Sequence, residues 1–296
     1  MSTLSPSLRI GVLRGGQSPE YDTSLQSGAN ILRHLSETHK PLDIFISREG
    51  KWHMHGLERV PERILKNVDV VFNALHHNNG EVQEILNRHN LPHTGSNKYS
   101  QSFSMNKWFA KEQAVLLKIK TPVSVLVRKN DSVHEKAKDI FNRIPHPLII
   151  KSTIGKQSSE FYKADSFGGL LESLENILSK CDSVIVEEYI SGKKVSCLVL
   201  NNFRGQNTYS FPPTETLRKE EKQILENYAK KMHEIFSLKD YSSSDFVVSP
   251  RRGVYFLEVN SSPELSNQSL ATKSLESVGL SMKDFLHHVI SLAFNK

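Results

Sequence analysis

FLEVNSSPE, residues 256–264, joins an apolar run to two polar side chains at a fixed spacing. Val254-Tyr255-Phe256-Leu257 reads as a buried strand, and Glu258 and Asn260 follow it ahead of a Ser261-Ser262-Pro263 turn. Residues i and i+2 of a strand point to the same side. A carboxylate and an amide oxygen therefore project together from the end of a core strand. Just upstream, Phe246-Val247-Val248 reads as the partner strand of a hairpin, with Ser249-Pro250-Arg251-Arg252-Gly253 as its turn. Antiparallel pairing returns the end of one strand to the start of the other, which puts Asp245 beside Glu258 and Asn260.

Three hard oxygen donors, one of them a neutral amide, suit Mg²⁺, which keeps waters and shares its shell with substrate phosphates. The same residues also fit solvated or capping groups at a strand end. Two lysines favour the metal reading. Lys151 directly follows the apolar strand Leu148-Ile149-Ile150, so its ammonium lies at a strand end and suits a phosphate, and Lys107 sits in Ser104-Met105-Asn106-Lys107-Trp108. Each lysine alone reads equally as a surface charge. The run Val184-Ile185-Val186-Glu187-Glu188-Tyr189-Ile190 is a buried strand leading into a hinge. A carboxylate and backbone groups there can read an adenine edge, and a plain strand and turn is the other reading.

The rest of the chain frames these groups. With 296 residues, 38% apolar and 24% charged, it is an ordinary globular composition of a size that divides into two or three subdomains. The net charge of +6 is spread without a basic block. This disfavours nucleic acid and fits an anionic small substrate. No apolar run approaches the ~18 residues of a membrane span, and the N-terminus lacks the pattern of a signal peptide. Cys181 and Cys197 have no metal or redox spacing, so the expectation is free thiols in the cytoplasm. Strands at 8–13, 42–46 and 68–75 alternate with an amphipathic helix at 21–36, which predicts parallel βαβ units with sites at the strands' carboxyl ends. The Gly15-Gly16 turn and the His76 loop lie at such ends. Beyond residue 99 the spacing predicts helices at 100–117, 167–179, 219–236 and 281–294, with strands between them.

In this order the pieces resemble the D-alanine–D-alanine ligase family of the ATP-grasp superfamily, along nearly the whole chain. The matching motifs are Gly15-Gly16-x-Ser18-x-Glu20 with Ser24-Leu25-x-Ser27-Gly28, Pro92-x-Thr94-Gly95-Ser96, Ser104-Met105-x-Lys107, Glu187 with its hinge, and Leu257-Glu258-x-Asn260-x-x-Pro263 with Ser269-Leu270. The resemblance implies an α/β (α+β) ATP-grasp fold. An open parallel-sheet domain (1–98) would precede two α+β subdomains that enclose ATP (99–187 and 188–296). It also implies roles by position. Lys107 and Lys151 would contact the ATP phosphates, and Glu187, Glu188 and the backbone near Ile190 would hold adenine. Asp245, Glu258 and Asn260 would bind Mg²⁺, with Mn²⁺ as a substitute. Glu20, supported by Ser158, would anchor the ammonium of the first D-amino acid, His76 would be a substrate-side residue, and Ser269 with Leu270 would line the second site. The implied reaction passes through an acylphosphate to a dipeptide for peptidoglycan synthesis, in a cytoplasmic enzyme that is commonly a homodimer.

The departures from the family concentrate in the chemistry. Ser243 stands where the family has an Arg that donates to the tetrahedral intermediate, and Glu264 stands where it has the Gly of a Pro-Gly pair. Lys194 replaces a ribose-contacting Glu, the phosphate-covering loop at 152–160 retains one glycine, and the closing loop before residue 219 is nearly absent. Three readings accommodate this: a divergent D-alanine–D-alanine ligase, an ATP-grasp ligase for another amino acid or amine, and a non-catalytic nucleotide-binding relative.

Overall fold

Parallel strands covered on both faces require near-continuous apolar runs, and the N-terminal segments supply them. In the computed structural model, which describes residues 5, 8–76, 80–154 and 161–295, these segments form a five-stranded sheet. Its strands are β1 (Ile10–Gly15), β2 (Leu42–Ile46), β3 (Trp52–Met54), β4 (Leu57–Glu58) and β5 (Val70–Asn73), in the order β4-β3-β2-β1-β5. β1 is parallel to both β2 and β5, as the βαβ pattern predicts, whereas β3 and β4 continue the edge antiparallel. Ile10, Val12, Val70 and Phe72 enter one core with Ile31, Leu35, Phe285 and Val289. Leu13, Ile44 and Val71 enter a second core with Ile64, Leu65 and Leu86.

Helix α1 (Tyr21–Leu35) follows β1 through a tight turn. Gly15 adopts φ +90°, where a Cβ would lie 2.3 Å from the Ile46 carbonyl oxygen, so only glycine fits the turn. A Cβ on Gly28 would meet the Arg14 side chain at 2.5 Å, so this glycine sets how closely α1 lies against β1. Helices α2 (Pro61–Leu65) and α3 (Glu81–Arg88) follow in sequence. The helix expected over 100–117 is two helices, α4 (Lys98–Met105) and α5 (Lys107–Leu116). Asn106 breaks it: its backbone is extended, and its Oδ1 accepts the Phe109 N–H at 3.0 Å as the N-cap of α5.

By internal packing the chain forms two compact units, residues 1–104, 196–244 and 259–296 in one and residues 105–195 and 245–258 in the other. The second contains an antiparallel sheet of β6 (Ser124–Arg128), β7 (Leu148–Ser152), β8 (Tyr162–Ala164) and β9 (Ser183–Glu188), in the order β6-β9-β7-β8. Leu148, Ile150, Val184 and Val186 turn one face of it onto a core with α6 (Val133–Arg143) and α7 (Phe167–Leu178). Period-2 alternation leaves Ile149, Lys151, Ile185 and Glu187 on the opposite face. A third sheet orders its strands β11-β10-β12-β13. These are β10 (Lys193–Phe203), β11 (Gln206–Ser210), β12 (Tyr241–Ser249) and β13 (Gly253–Asn260), with α8 (Lys219–Ile235) between β11 and β12. The hairpin is therefore longer than its apolar residues alone indicate, and β13 runs through Glu258 to Asn260. Helices α9 (Leu270–Ser277) and α10 (Met282–Ala293) close the chain. No helix among the described residues is long and apolar enough to cross a membrane.

One buried polar contact ties α8 to this sheet. His233 is 1% exposed; its Nδ1 lies 2.7 Å from Ser242 Oγ, and its Nε2 lies 3.2 Å from Asn201 Oδ1. Burial, reinforced by Lys239, pushes the imidazole from 6.5 down to about 4. A histidine held neutral in the fold stabilises fully above its unfolded value, and that contribution is lost as pH falls from 6.5 through about 4. We expect roughly 3 kcal/mol of stability to disappear over this window. His233→Gln should flatten the dependence, as followed by urea unfolding at a series of pH values.

Candidate active site

The second unit holds a buried charge cluster. Lys151 on β7 and Glu187 on β9 share a sheet face, and Lys151 pairs in register with Ile185, so the two side chains meet diagonally. Lys151 Nζ is 2.7 Å from Glu187 Oε1, and Lys111 Nζ, from α5, is 2.8 Å from Glu187 Oε2. Glu187 and Lys111 are buried. Burial works against the Glu187 carboxylate, yet the two lysines outweigh it and hold the group below the usual carboxylate range. For Lys151 burial is outweighed by Glu187 and Glu258, which raise it. For Lys111 burial dominates over Glu187, and Lys151 adds to the downward shift.

Lys107, the first residue of α5, is also buried, and its Nζ lies 3.3 Å from Glu258 Oε2. Its backbone N–H donates to the Thr153 carbonyl at 2.8 Å, which fixes the start of α5 against the end of β7. Glu258, the carboxylate expected to bind metal, is thus ion-paired with Lys107, the lysine expected to contact phosphate. Asp245 lies on the neighbouring strand β12, and Asn260 lies two residues along β13 from Glu258. Asn260 Oδ1 accepts the Ser262 N–H at 3.0 Å, which starts the Ser-Ser-Pro turn and leaves a lone pair for a further ligand. No group of three His, Cys, Asp or Glu lies together among the described residues. Carboxylate and amide oxygens are the donor types that Mg²⁺ takes together with water and phosphate.

The hinge differs from its expected use. Glu188 is 3% exposed and both its oxygens are engaged: Arg252 Nη1 donates to Oε2 at 2.7 Å, and Arg252 Nη2 and the Val123 N–H donate to Oε1, each at 3.0 Å. Arg252 also lies over the Tyr255 ring, 5.0 Å from its centroid. Glu188 therefore clamps the β12–β13 turn to the end of β9. The Ile190 side chain is buried with Val247 and Tyr255.

In the first unit, Glu20 and His76 come together at the carboxyl ends of β1 and β5, where His76 Nδ1 lies 3.9 Å from Glu20 Oε2. Both are buried. Ser27 Oγ lies 3.4 Å from His76 Nε2 and accepts the Leu265 N–H at 3.1 Å, and Asn30 donates to the Leu265 carbonyl at 2.7 Å. Ser24 accepts from the Gly15 N–H at 2.9 Å and donates to the Ala74 carbonyl at 2.8 Å. Glu20 is the N-cap position of α1 without capping it through its side chain, so the helix dipole favours its negative charge. Ser269 caps α9 through the Thr272 N–H at 3.1 Å, and Leu270 beside it is 48% exposed. Ser158 lies outside the described residues. At the departing positions, Ser243 is buried on β12, Glu264 accepts a hydrogen bond from the Ser266 hydroxyl, and Lys194 is exposed beside the Phe161 ring.

Three members of these clusters carry no site role in the sequence reading: Lys111, Ser27 and Arg252. Lys111 had a signal, since it lies one helical turn beyond Lys107 on the same face. Ser27 lies in the quoted serine motif. Arg252 stands in the hairpin turn, where a charged residue carries no distinguishing pattern.

A sheet-borne lysine beside a buried glutamate, a second lysine against a strand-end Glu-x-Asn, and a parallel-sheet N-terminal domain are the arrangement expected of an ATP-grasp fold. The family model described as D-ala D-ala ligase C-terminus matches residues 203–291. A D-alanine–D-alanine ligase of Francisella tularensis subsp. tularensis is 26% identical over 309 aligned residues, covering 96% of this chain and 98% of the relative. The structure of the D-alanine–D-alanine ligase from Coxiella burnetii superposes with a TM-score of 0.87 at 22% identity, covering 98% of this chain and 95% of that one. The VanG D-Ala:D-Ser ligase from Enterococcus faecalis gives 0.80 at 24% identity, covering 97% and 99%. The chain is thus similar along nearly its whole length to D-alanine–D-alanine ligases and shares their fold.

The Glu188 clamp makes a testable contribution to stability. Burial pushes its carboxyl up, but Arg252 and the Val123 N–H outweigh this and hold it below 4.5. A carboxylate depressed in the fold stabilises above its unfolded value, and the contribution is lost as pH falls below it. Arg252→Ala should cost about 1–3 kcal/mol at neutral pH by stranding the buried carboxylate. The cost should shrink below pH 4.5, as measured by thermal unfolding across pH.

Proposed function

We propose that the protein is an ATP-dependent ligase that joins two D-alanines into D-alanyl-D-alanine for peptidoglycan synthesis. The observation that carries this is the pairing of Lys107 with Glu258 at 3.3 Å, beside a second lysine, Lys151, whose charge also acts on Glu258. That arrangement suits a metal-bound polyphosphate, and it occurs in a chain related along its length to D-alanine–D-alanine ligases.

In this reading Lys107 and Lys151 bind the phosphates, and the backbone around Ile190 and the face of Glu187 accommodate adenine. Asp245, Glu258 and Asn260 would hold Mg²⁺, which supplies charge neutralisation during phosphoryl transfer. Glu20, with His76 behind it, would orient the ammonium of the first amino acid, and Ser269 with Leu270 would flank the second. The carboxylate of the first D-alanine attacks the γ-phosphorus, ADP leaves, and the amine of the second displaces phosphate from the acyl carbon as it loses a proton. In functional terms, 1–98 recognises amino acid, 99–187 holds nucleotide phosphates, and 188–296 carries the metal ligands. A homodimer and a cytoplasmic location belong to the same proposal; light scattering decides the first.

Ser243 and Glu264 replace two donors that the family aims at the tetrahedral intermediate, and one such donor is worth about 3 kcal/mol in a hydrolase precedent. Turnover should accordingly be slow, with ADP released in excess of dipeptide. The experiment is incubation with ATP, Mg²⁺ and separate D- and L-amino acids, with products identified by mass spectrometry and ADP counted in parallel. D-alanyl-D-alanine formed only from the D-isomer, and abolished by Glu258→Gln, is the expected result. A different dipeptide would keep the mechanism and change the substrate. ATP binding without any product would identify a non-catalytic relative.

A further inference from the structure

Lys111 has no part in the reaction as described, yet it is among the most deeply buried charges in the second unit. It is 3% exposed, one turn along α5 from Lys107, with its Nζ 2.8 Å from Glu187 Oε2. Lys151 already neutralises Glu187 from the other oxygen at 2.7 Å. A second buried ammonium is therefore not needed to balance the carboxylate. Desolvating it costs several kcal/mol, and an apolar side chain of similar volume would pack there at less expense to folding.

Charge counting gives the second lysine a purpose. Lys151 and Glu187 alone make a neutral pair, whose field on a nearby anion largely cancels. With Lys111 sharing the carboxylate, the three groups carry a net charge of +1, in an interior where a charge is weakly screened. Lys111 and Lys107 project from one face of the same helix, so α5 delivers both cations in a fixed spacing. We propose that Lys111 is a positioning residue for nucleotide: it fixes Glu187 from behind and leaves the Lys151 ammonium with an uncancelled positive charge toward phosphate. This inference rests on the nucleotide-dependent ligase reading.

The test is calorimetric titration with ATP, with Mg²⁺ present, together with thermal unfolding of the nucleotide-free proteins. Lys111→Met should bind ATP about tenfold or more weakly, while its melting temperature stays equal to that of the parent or rises. Lys111→Arg, which keeps the positive charge beside Glu187, should retain most of the affinity. Parental affinity in Lys111→Met would overturn the inference. A lost affinity accompanied by a fall in melting temperature, with the same loss in Lys111→Arg, would also overturn it by assigning Lys111 a packing role. If the parent protein binds no adenine nucleotide, the ligase reading itself fails, and the inference with it.

Discussion

A single carboxylate, Glu187, organises the second unit. Two ammoniums brought this close in a weakly screened interior repel strongly, so Lys111 and Lys151 are compatible only because Glu187 lies between them. Its position follows from strand alternation. Leu148, Ile150, Val184 and Val186 bury one face of the β7–β9 ladder, which commits Lys151 and Glu187 to the other. A one-residue slip of that register would turn both charges into the apolar core. The packing of α6 and α7 against the sheet therefore does more than stabilise it: it selects the register that exposes the charged face to α5. Asn106 completes the arrangement by starting α5 where Lys107 and Lys111 both face the sheet.

The first unit solves a comparable problem with neutral groups. Glu20 and His76 lie at the carboxyl ends of adjacent parallel strands, where the chain leaves the sheet and backbone groups need partners. The serines of α1 supply them. Ser24 joins the Gly15 turn to the Ala74 carbonyl, and Ser27 with Asn30 holds both polar groups of the Leu265 peptide. One helix face thus fastens three loop segments. The serine-rich start of α1 carries these fastenings at the expense of helix propensity, which Ser weakens.

Much of this was legible in the sequence, for reasons tied to particular residues. β1, β2 and β5 are apolar runs long enough to declare parallel strands. Glu258 and Asn260 declare a shared side because strand parity needs no tertiary knowledge. The strands β3, β4 and β8 span two or three residues each, too short for periodicity to register. The break at Asn106 was hidden because the flanking helices share one continuous pattern, and only the cap geometry divides them. Glu188 read as a ligand because Arg252, which engages it, is 64 residues away and reaches it through a hairpin turn. Lys111 was hidden by its type: a lysine on a helix is ordinarily solvated, and its burial depends on a glutamate from another strand.

The retained and departed residues divide along the two steps of the proposed reaction. Phosphoryl transfer depends on positioning and on neutralising the phosphate oxygens, and the groups suited to that work, Lys107, Lys151, Asp245, Glu258 and Asn260, are all present. Amine attack depends on donors aimed at the developing oxyanion, and there the chain carries Ser243 and Glu264 in place of a guanidinium and a glycine. Glu264 is moreover engaged by the Ser266 hydroxyl, so its carboxylate adds negative charge near the loop that holds Leu265. In the proposed reaction, preserved activation with weakened capture would make the lifetime of the activated carboxylate the quantity that decides the outcome. Which nucleophile reaches it first then depends less on the charged cluster of the second unit than on how well the first unit and the start of α9 hold the incoming amine.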